Sequence, residues 1–281
     1  MTQIARNETM GDFENVPLLN VPLLPAQRRQ LIIDFLHRHG AVTLQQLASA
    51  LRVSLSTLRR DLDNLSEEGV VDRTHGGALL RHQQYSTFEP DFSAAIELSP
   101  QEKSLIGKAA AESLVPGQSV IFDSGSTVLE AAKAVVARKI EILAVTNDIQ
   151  IAQILGASPS IRVHVFGGQL RPGSNTLVGE EMLAGARSIR ADVLFFGAHA
   201  VTEGVISETS PEVAAVKRAL MQSATSRRLL VDSSKFRPRV FMSVCQVAEL
   251  DEIITDDGAP QDEIERIRGA GTKLTIASWQ K

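Results

Sequence analysis

Apolar residues follow two different periods along this chain. Up to about residue 81 they recur at helical spacing. "AQRRQLIIDFLHRHG" places Leu31, Ile32, Phe35 and Leu36 on one helical face and stops at Gly40. "TLQQLASALR" opens with Thr43 and carries Gln46 three residues on, a capping-box pair, followed by Leu44, Leu47, Ala48 and Leu51 at i, i+3, i+4 and i+7. In "VSLSTLRRDLDNLSEEG", Leu55, Leu58, Leu62 and Leu65 form one narrow stripe between Ser54 as N-cap and Gly69 as the stop. "VVDRTHGGALL" then offers two short apolar runs joined through His75, Gly76 and Gly77, whose glycines suit the positive φ of a tight hairpin. The spacing predicts three helices and a hairpin.

Beyond the polar stretch "HQQYSTFEPD" the pattern changes. "LSPQEKSLIGKAAAESLVPG" predicts a helix with Ser99 as N-cap, Pro100 at N1 and Glu102 at N3. Nearly unbroken apolar runs then alternate with helical patterns: "SVIFD", "EILAVTN", "RVHVFGG", "DVLFFGAH", "RLLVDSS" and "EIITDD". Runs without polar alternation suit strands covered on both faces, hence a mainly parallel sheet wrapped by helices. The fold class expected is α/β, with a small helical domain over 26–81, a linker over 82–91 and a larger α/β domain over 92–281. Residues 1–25, where "VPLL" occurs twice, read as a flexible arm. A length of 281 residues agrees with more than one core.

At 100° per residue, the face opposite the leucine stripe of the third helix collects Ser56, Thr57, Arg60 and Asn64, with Arg59 on its flank and Ser54 at its tip. An isolated Arg-Arg pair would mean only a solvated face. Preceded by a helix and a turn of about three residues, it reads as a recognition helix for the major groove of double-stranded DNA, where arginine bonds guanine edges bidentately. Arg73 and His75 on the hairpin would serve the backbone or minor groove. The charge distribution agrees: the chain is −4 overall, yet residues 26–81 hold eight arginines against six acidic residues.

In the larger domain the informative positions are where the apolar runs end. Asp123-Ser124-Gly125, Thr146-Asn147-Asp148, Gly167-Gly168, Gly197-Ala198-His199, Asp232 to Lys235 and Thr255-Asp256-Asp257 all fall there. Ligands of open α/β sheets bind beyond the strand C-termini, so these ends point to one crevice. Within "FDSGSTVLEAA", Gly125 allows close approach, and Ser126 or Thr127 would cap a helix whose N–H groups could hold a phosphate. Lys217 and Lys235 are the candidate cations. No Gly-Lys-Ser or Gly-Lys-Thr follows, which argues against nucleotide hydrolysis.

The single cysteine, Cys245, forms no internal disulfide and no cysteine-based zinc site; it reads as a buried apolar residue in a reducing compartment. No apolar run approaches the roughly 18 residues of a membrane span, and the polar start is unlike a secretory leader, so a cytoplasmic location is expected. No cofactor, metal site or catalytic group is expected.

"RRQLIIDFLHRHGAVTLQQLASALRVSLSTLRRDLDNLSEEGVVDRTHGGALL" resembles the winged helix-turn-helix of the DeoR family of bacterial transcriptional regulators, on the motifs "VSLSTLRRDL" and "RTHGGA". "FDSGST", "VTND", "VFGGQL", "ADVLFFGA", "VDSSKF" and "IITDD" are similar to that family's effector domain, whose fold resembles ribose-5-phosphate isomerase. The resemblance implies an operator-binding regulator, most often a repressor of carbohydrate metabolism, that answers to a small phosphorylated sugar. Paired operator half-sites require a homodimer or higher homo-oligomer. The rival is a sugar-phosphate isomerase-like enzyme carrying a DNA-binding module. Such isomerases end the strand matching "FFGAHAV" in Asp-Gly-Ala-Asp, and Gly197 and His199 stand where its carboxylates are expected. Without that pair an isomerase lacks its positioned base, although Glu208 and Glu212 remain candidate carboxylates.

Overall fold

The computed structural model describes residues 25–39, 41–74, 76–80, 96 and 99–279. The expected arm, the linker over 82–91 and His75 therefore lie outside the described residues, except that Pro25 already begins the first helix. The chain divides into two units, Met1–Arg81 and His82–Lys281.

In the first unit, α1 (Pro25–His39), β1 (Ala41–Thr43), α2 (Leu44–Leu51), α3 (Leu55–Glu67), β2 (Val71–Thr74) and β3 (Gly77–Leu80) follow one another. Their core joins Ile32, Phe35 and Leu36 of α1 to Leu47 of α2 and to Leu58, Leu62 and Leu65 of α3. Burying each such leucine stabilises the fold by about 1.5–3 kcal/mol. Thr43 caps α2 as the sequence indicates: its hydroxyl accepts from Gln46 N at 3.1 Å, and Gln46 Oε1 accepts from Thr43 N at 2.8 Å. Helix α3 ends in a Schellman turn, with Gly69 at φ 73°, Gly69 N donating to Ser66 O and Val70 N to Leu65 O.

The hairpin is larger than the spacing predicts, because β1 joins it in a three-stranded sheet of order β1-β3-β2. This changes the role of its glycines. Gly77 does not adopt positive φ; instead, a Cβ on it would come within 1.9 Å of Val42 O, where β3 pairs with β1. Close approach of two backbones, not a left-handed turn, demands glycine there.

The second unit is built on seven strands: β4 (Ser119–Phe122), β5 (Ile142–Thr146), β6 (Ile161–Val165), β9 (Ala191–Phe196), β12 (Ala224–Leu230), β14 (Glu252–Asp256) and β15 (Lys273–Ala277). Every pairing is parallel, in the order β15-β14-β12-β9-β4-β5-β6. Six of these strands match the apolar runs, while β15 went unrecognised because "KLTIA" mixes polar and apolar positions. Helices α4 (Pro100–Glu112), α5 (Ser126–Arg138) and α6 (Ile149–Gly156) bury one face. Between β6 and β9 come the hairpin β7 (Gln169–Leu170) and β8 (Leu177–Val178) and then α7 (Glu180–Arg187). α7, α8 (Pro211–Gln222) and α9 (Gln261–Gly269) pack into the core on the other face. A small antiparallel sheet of β10 (Ala200–Thr202), β11 (Val205–Glu208) and β13 (Met242–Gln246) lies beside them.

Chain order reverses between β4 and β9: the strands run outward from β4 to β6 on one side and from β9 to β15 on the other. That switch point opens a crevice above the C-termini of β4 and β9, because the helices that follow them leave in opposite directions. Ser99 departs from its expected role: it is left-handed at φ 48° and makes no side-chain cap to α4. Cys245 is buried in the apolar core, and burial pushes its thiol up to about 12.

Candidate functional site

Two sites emerge, one in each unit. In the first, Ser54 caps α3 by accepting from Thr57 N at 3.3 Å, and its hydroxyl also contacts Ser56 Oγ at 3.0 Å and Thr57 Oγ1 at 2.9 Å. Ser56, Arg59 and Arg60 are exposed, with Thr57 and Asn64 partly so. The helix is held from behind by a residue that periodicity did not reveal. Asp61 is buried among the leucines, and the Arg28 guanidinium of α1 grips its carboxylate with two nitrogens, Nη2 to Oδ1 at 2.9 Å and Nε to Oδ2. That hydrogen-bonded pairing raises the Arg28 pKa above its ordinary value. Arg73 on β2 is paired with Asp63 of α3, so its charge is already shared within the unit.

In the second unit a cleft of about 200 Å³ lies at the switch point. Its floor is the β4–α5 turn, Ser124 to Thr127, facing Gly197, Ala198 and His199 after β9, with Leu230 and Lys235 at the end of β12 and Glu208 and Lys217 from β11 and α8. Gly125 adopts φ 141°, which a side chain would strain, and it is itself the N-cap of α5. Ser126 and Thr127 are thus the first residues of α5 and not its cap, a correction to the sequence-based expectation. The consequence is favourable to an anion: the first N–H groups of α5 have no partner within the helix.

Charges beneath the cleft are organised around Lys217, which is 3% exposed. Its Nζ lies 2.5 Å from Asp123 Oδ2 and 3.5 Å from Glu208 Oε1. Burial alone would push the ammonium toward neutrality, but Asp123 and Glu208 outweigh it and hold the pKa above the usual lysine value. Asp123 is fully buried and lies under the cleft as the counter-ion of Lys217, not in its lining. Lys235 differs: desolvation, aided by Arg237, lowers its pKa to about 7. Burial would raise Asp232, yet Lys235 and Lys103 together with hydrogen bonds from Ser234 more than offset this and lower its pKa from the ordinary value. Lys103, on α4 and 2% exposed, is another buried charge the sequence did not disclose.

Thr146, Asn147, Asp148, Gly167 and Gly168 do not line the cleft. The first three are fully buried and hold structure together. Thr146 Oγ1 donates to Phe122 O at 2.7 Å, and Asp148 caps α6 by accepting from Gln150 N and Ile151 N, both at 2.9 Å. Burial pushes the Asp148 carboxyl up to about 6 against those two donors. Asn147 exchanges backbone and side-chain bonds with Leu177. Gly168, at φ 137°, passes so close to β8 that a Cβ would meet Val178 O at 2.5 Å. Asn147, Asp148 and Gly168 hold the β7–β8 hairpin, and it is that hairpin's loop, Arg171 to Ser174 with Thr176, that reaches the cleft.

Residues 28–84 match the DeoR-like helix-turn-helix domain, and residues 98–257 match the DeoR C-terminal sensor domain. The chain belongs to the DeoR family. Among its curated relatives, the HTH-type transcriptional repressor GlcR of Bacillus subtilis is 32% identical over 89% of this chain and 95% of its own length. The lactose phosphotransferase system repressor of Lactococcus lactis is 31% identical over 85% and 94%. The glycerol-3-phosphate regulon repressor of Escherichia coli is 28% identical over 83% and 92%. Among solved structures, ribose-5-phosphate isomerase A of Methanocaldococcus jannaschii is similar at 15% identity and TM-score 0.36, over 48% of this chain and 53% of that one, too distant to bear on activity. This DeoR-family chain is a transcriptional regulator and not an enzyme.

Laying Asp-Gly-Ala-Asp on Phe196-Gly197-Ala198-His199 puts the carboxylate positions at Phe196 and His199, so the expectation for Gly197 was one residue out. Phe196 is fully buried in the core, and His199 lines the cleft. Glu212 is exposed and outside the cleft. Glu208 is the one carboxylate among the described lining residues, and it faces the Lys217 ammonium. The hairpin loop carrying Arg171 was missed by sequence reasoning, although "LRPGSNTL" contains the signal: a Pro-Gly turn between apolar pairs.

Proposed function

We propose that this DeoR-family regulator represses an operon of carbohydrate metabolism, acting as a cytoplasmic homo-oligomer on paired operator half-sites, and that a phosphorylated sugar in the cleft of its second unit relieves repression. The observation that carries this is the convergence of the Gly125 turn, the α5 N-terminus, Lys217 and Lys235 on one cleft. A phosphate dianion there would gain backbone N–H donors and the positive end of a helix dipole at once. Lys217 already has two carboxylate neighbours, so Lys235 is the lysine placed to answer an arriving phosphate, with Arg171 the other cation of the lining. The sugar moiety would then face His199, Glu208 and the Arg171 loop.

In the first unit, Arg59, Arg60, Ser56 and Asn64 would meet base edges and phosphates while Arg28–Asp61 fixes the helix that carries them. Binding of the sugar lowers operator affinity only by its different affinity for the DNA-bound and free arrangements. Titration calorimetry against a panel of phosphorylated and free sugars, with product analysis of the same mixtures, tests the sensor reading. Saturable binding of a phosphorylated sugar without turnover is expected; isomerised product would overturn it.

A further inference from the structure

Leu55 departs from the leucine stripe to which its spacing assigns it. Leu58 and Leu62 are fully buried and Leu65 is 1% exposed, whereas Leu55 is 38% exposed and joins no core cluster. Among the described residues of the first unit it is the one large apolar side chain left exposed. A single exposed leucine is ordinary on a protein surface; the place of this one is not. It is the first residue of α3, next to the capping Ser54, and Arg59 lies one turn on along the same face. The hydroxyls around it bond one another, Ser54 to Ser56 and to Thr57, beside this exposed apolar tip.

Recognition helices enter the major groove by their N-terminal residues. Of the features base edges show there, the thymine C5-methyl is the apolar one. We propose that Leu55 is a specificity-determining residue whose side chain packs on a thymine methyl in the operator, one helical turn before Arg59. The assignment rests on the operator-binding reading above and adds a base identity to it. Packing the methyl against Leu55 removes apolar surface of both from water, while cytosine at that position would bring a hydrogen atom and an amino group whose hydration is lost against leucine.

Deoxyuridine separates this contact from all others, because it lacks the methyl and pairs as thymine does. The full chain is used to select a preferred duplex from a randomised library, and that duplex is resynthesised with deoxyuridine replacing each thymine in turn. For the wild-type chain, one thymine per half-site is expected to show a loss of about three- to five-fold in affinity. Leu55→Ala should bind the thymine duplex more weakly by a similar factor and no longer distinguish thymine from deoxyuridine there. Leu55→Met, which keeps an apolar tip, should retain the distinction. Both variants change an exposed position outside the core, and unchanged thermal midpoints are expected. An undiminished deoxyuridine penalty in Leu55→Ala, or no thymine whose methyl matters, overturns the role of Leu55 and leaves operator binding standing. A library that yields no preferred sequence overturns both.

Discussion

The two sites are built in opposite ways. The proposed DNA-facing site is a set of exposed and half-exposed side chains on one helix, and its members share a face because they are spaced along a single 3.6-residue period. The cleft draws its members from the β4–α5 turn, the start of α5, the segment after β9, β11, β12, α8 and a hairpin loop, and the charges of Lys217, Asp123 and Glu208 are paired before any ligand arrives. Changing a residue of the first should alter binding and spare the fold. Changing a charge of the second should damage the fold along with the function.

The largest effect tests that contrast at Lys217. Lys217→Met would leave the buried carboxylates of Asp123 and Glu208 without their shared ammonium, at a cost of about 3–5 kcal/mol in chemical denaturation. A cost below about 1 kcal/mol would show that the three charges are not coupled. Next, Gly77→Ala must push β3 off Val42 and should cost about 1–3 kcal/mol, a structural penalty inside the otherwise tolerant first unit. Wild-type stability there would contradict the close pairing of β1 and β3.

Arg60→Ala sharpens the other side. It should lose about 1–3 kcal/mol of sequence-specific binding with no change in unfolding, whereas Arg73→Ala, already paired with Asp63, should weaken binding to all sequences alike and by less. Equal losses in the two variants would remove the distinction between reading bases and holding the backbone. The smallest effect is in pH. Lys235, lowered to about 7, is increasingly neutral above that pH and must take up a proton to meet a phosphate. Affinity for a phosphorylated sugar should therefore fall as pH rises above 7, by at most about tenfold per unit, and Lys235→Met should flatten the profile.

These differences also explain what could be read in advance. The stripe Leu58, Leu62 and Leu65, both α3 boundaries and six of the seven parallel strands follow from local pattern alone. Asp61 and Lys103 were invisible because nothing local marks a charge whose partner lies dozens of residues away. Thr146, Asn147 and Asp148 resemble ligand contacts in sequence for a related reason. The polar end of a buried strand looks the same in sequence whether it faces a ligand or anchors a neighbouring hairpin, and here the anchoring bonds reach Leu177 and the start of α6. Ser124 to Thr127 do line the cleft, because a strand, a glycine and a helix follow one another there, although Gly125 and not Ser126 or Thr127 caps the helix.

In the proposed mechanism a phosphorylated sugar in the cleft of the second unit makes helix α3 of the first release DNA. An operator gel shift with the full chain, run against phosphorylated sugars and their unphosphorylated parents in wild type and Thr127→Ala, tests it most directly. One phosphorylated sugar is expected to release wild-type protein while its parent sugar does not, and Thr127→Ala should stay bound to the operator throughout. Release by the parent sugar equally well, or an unchanged response in Thr127→Ala, would contradict the account.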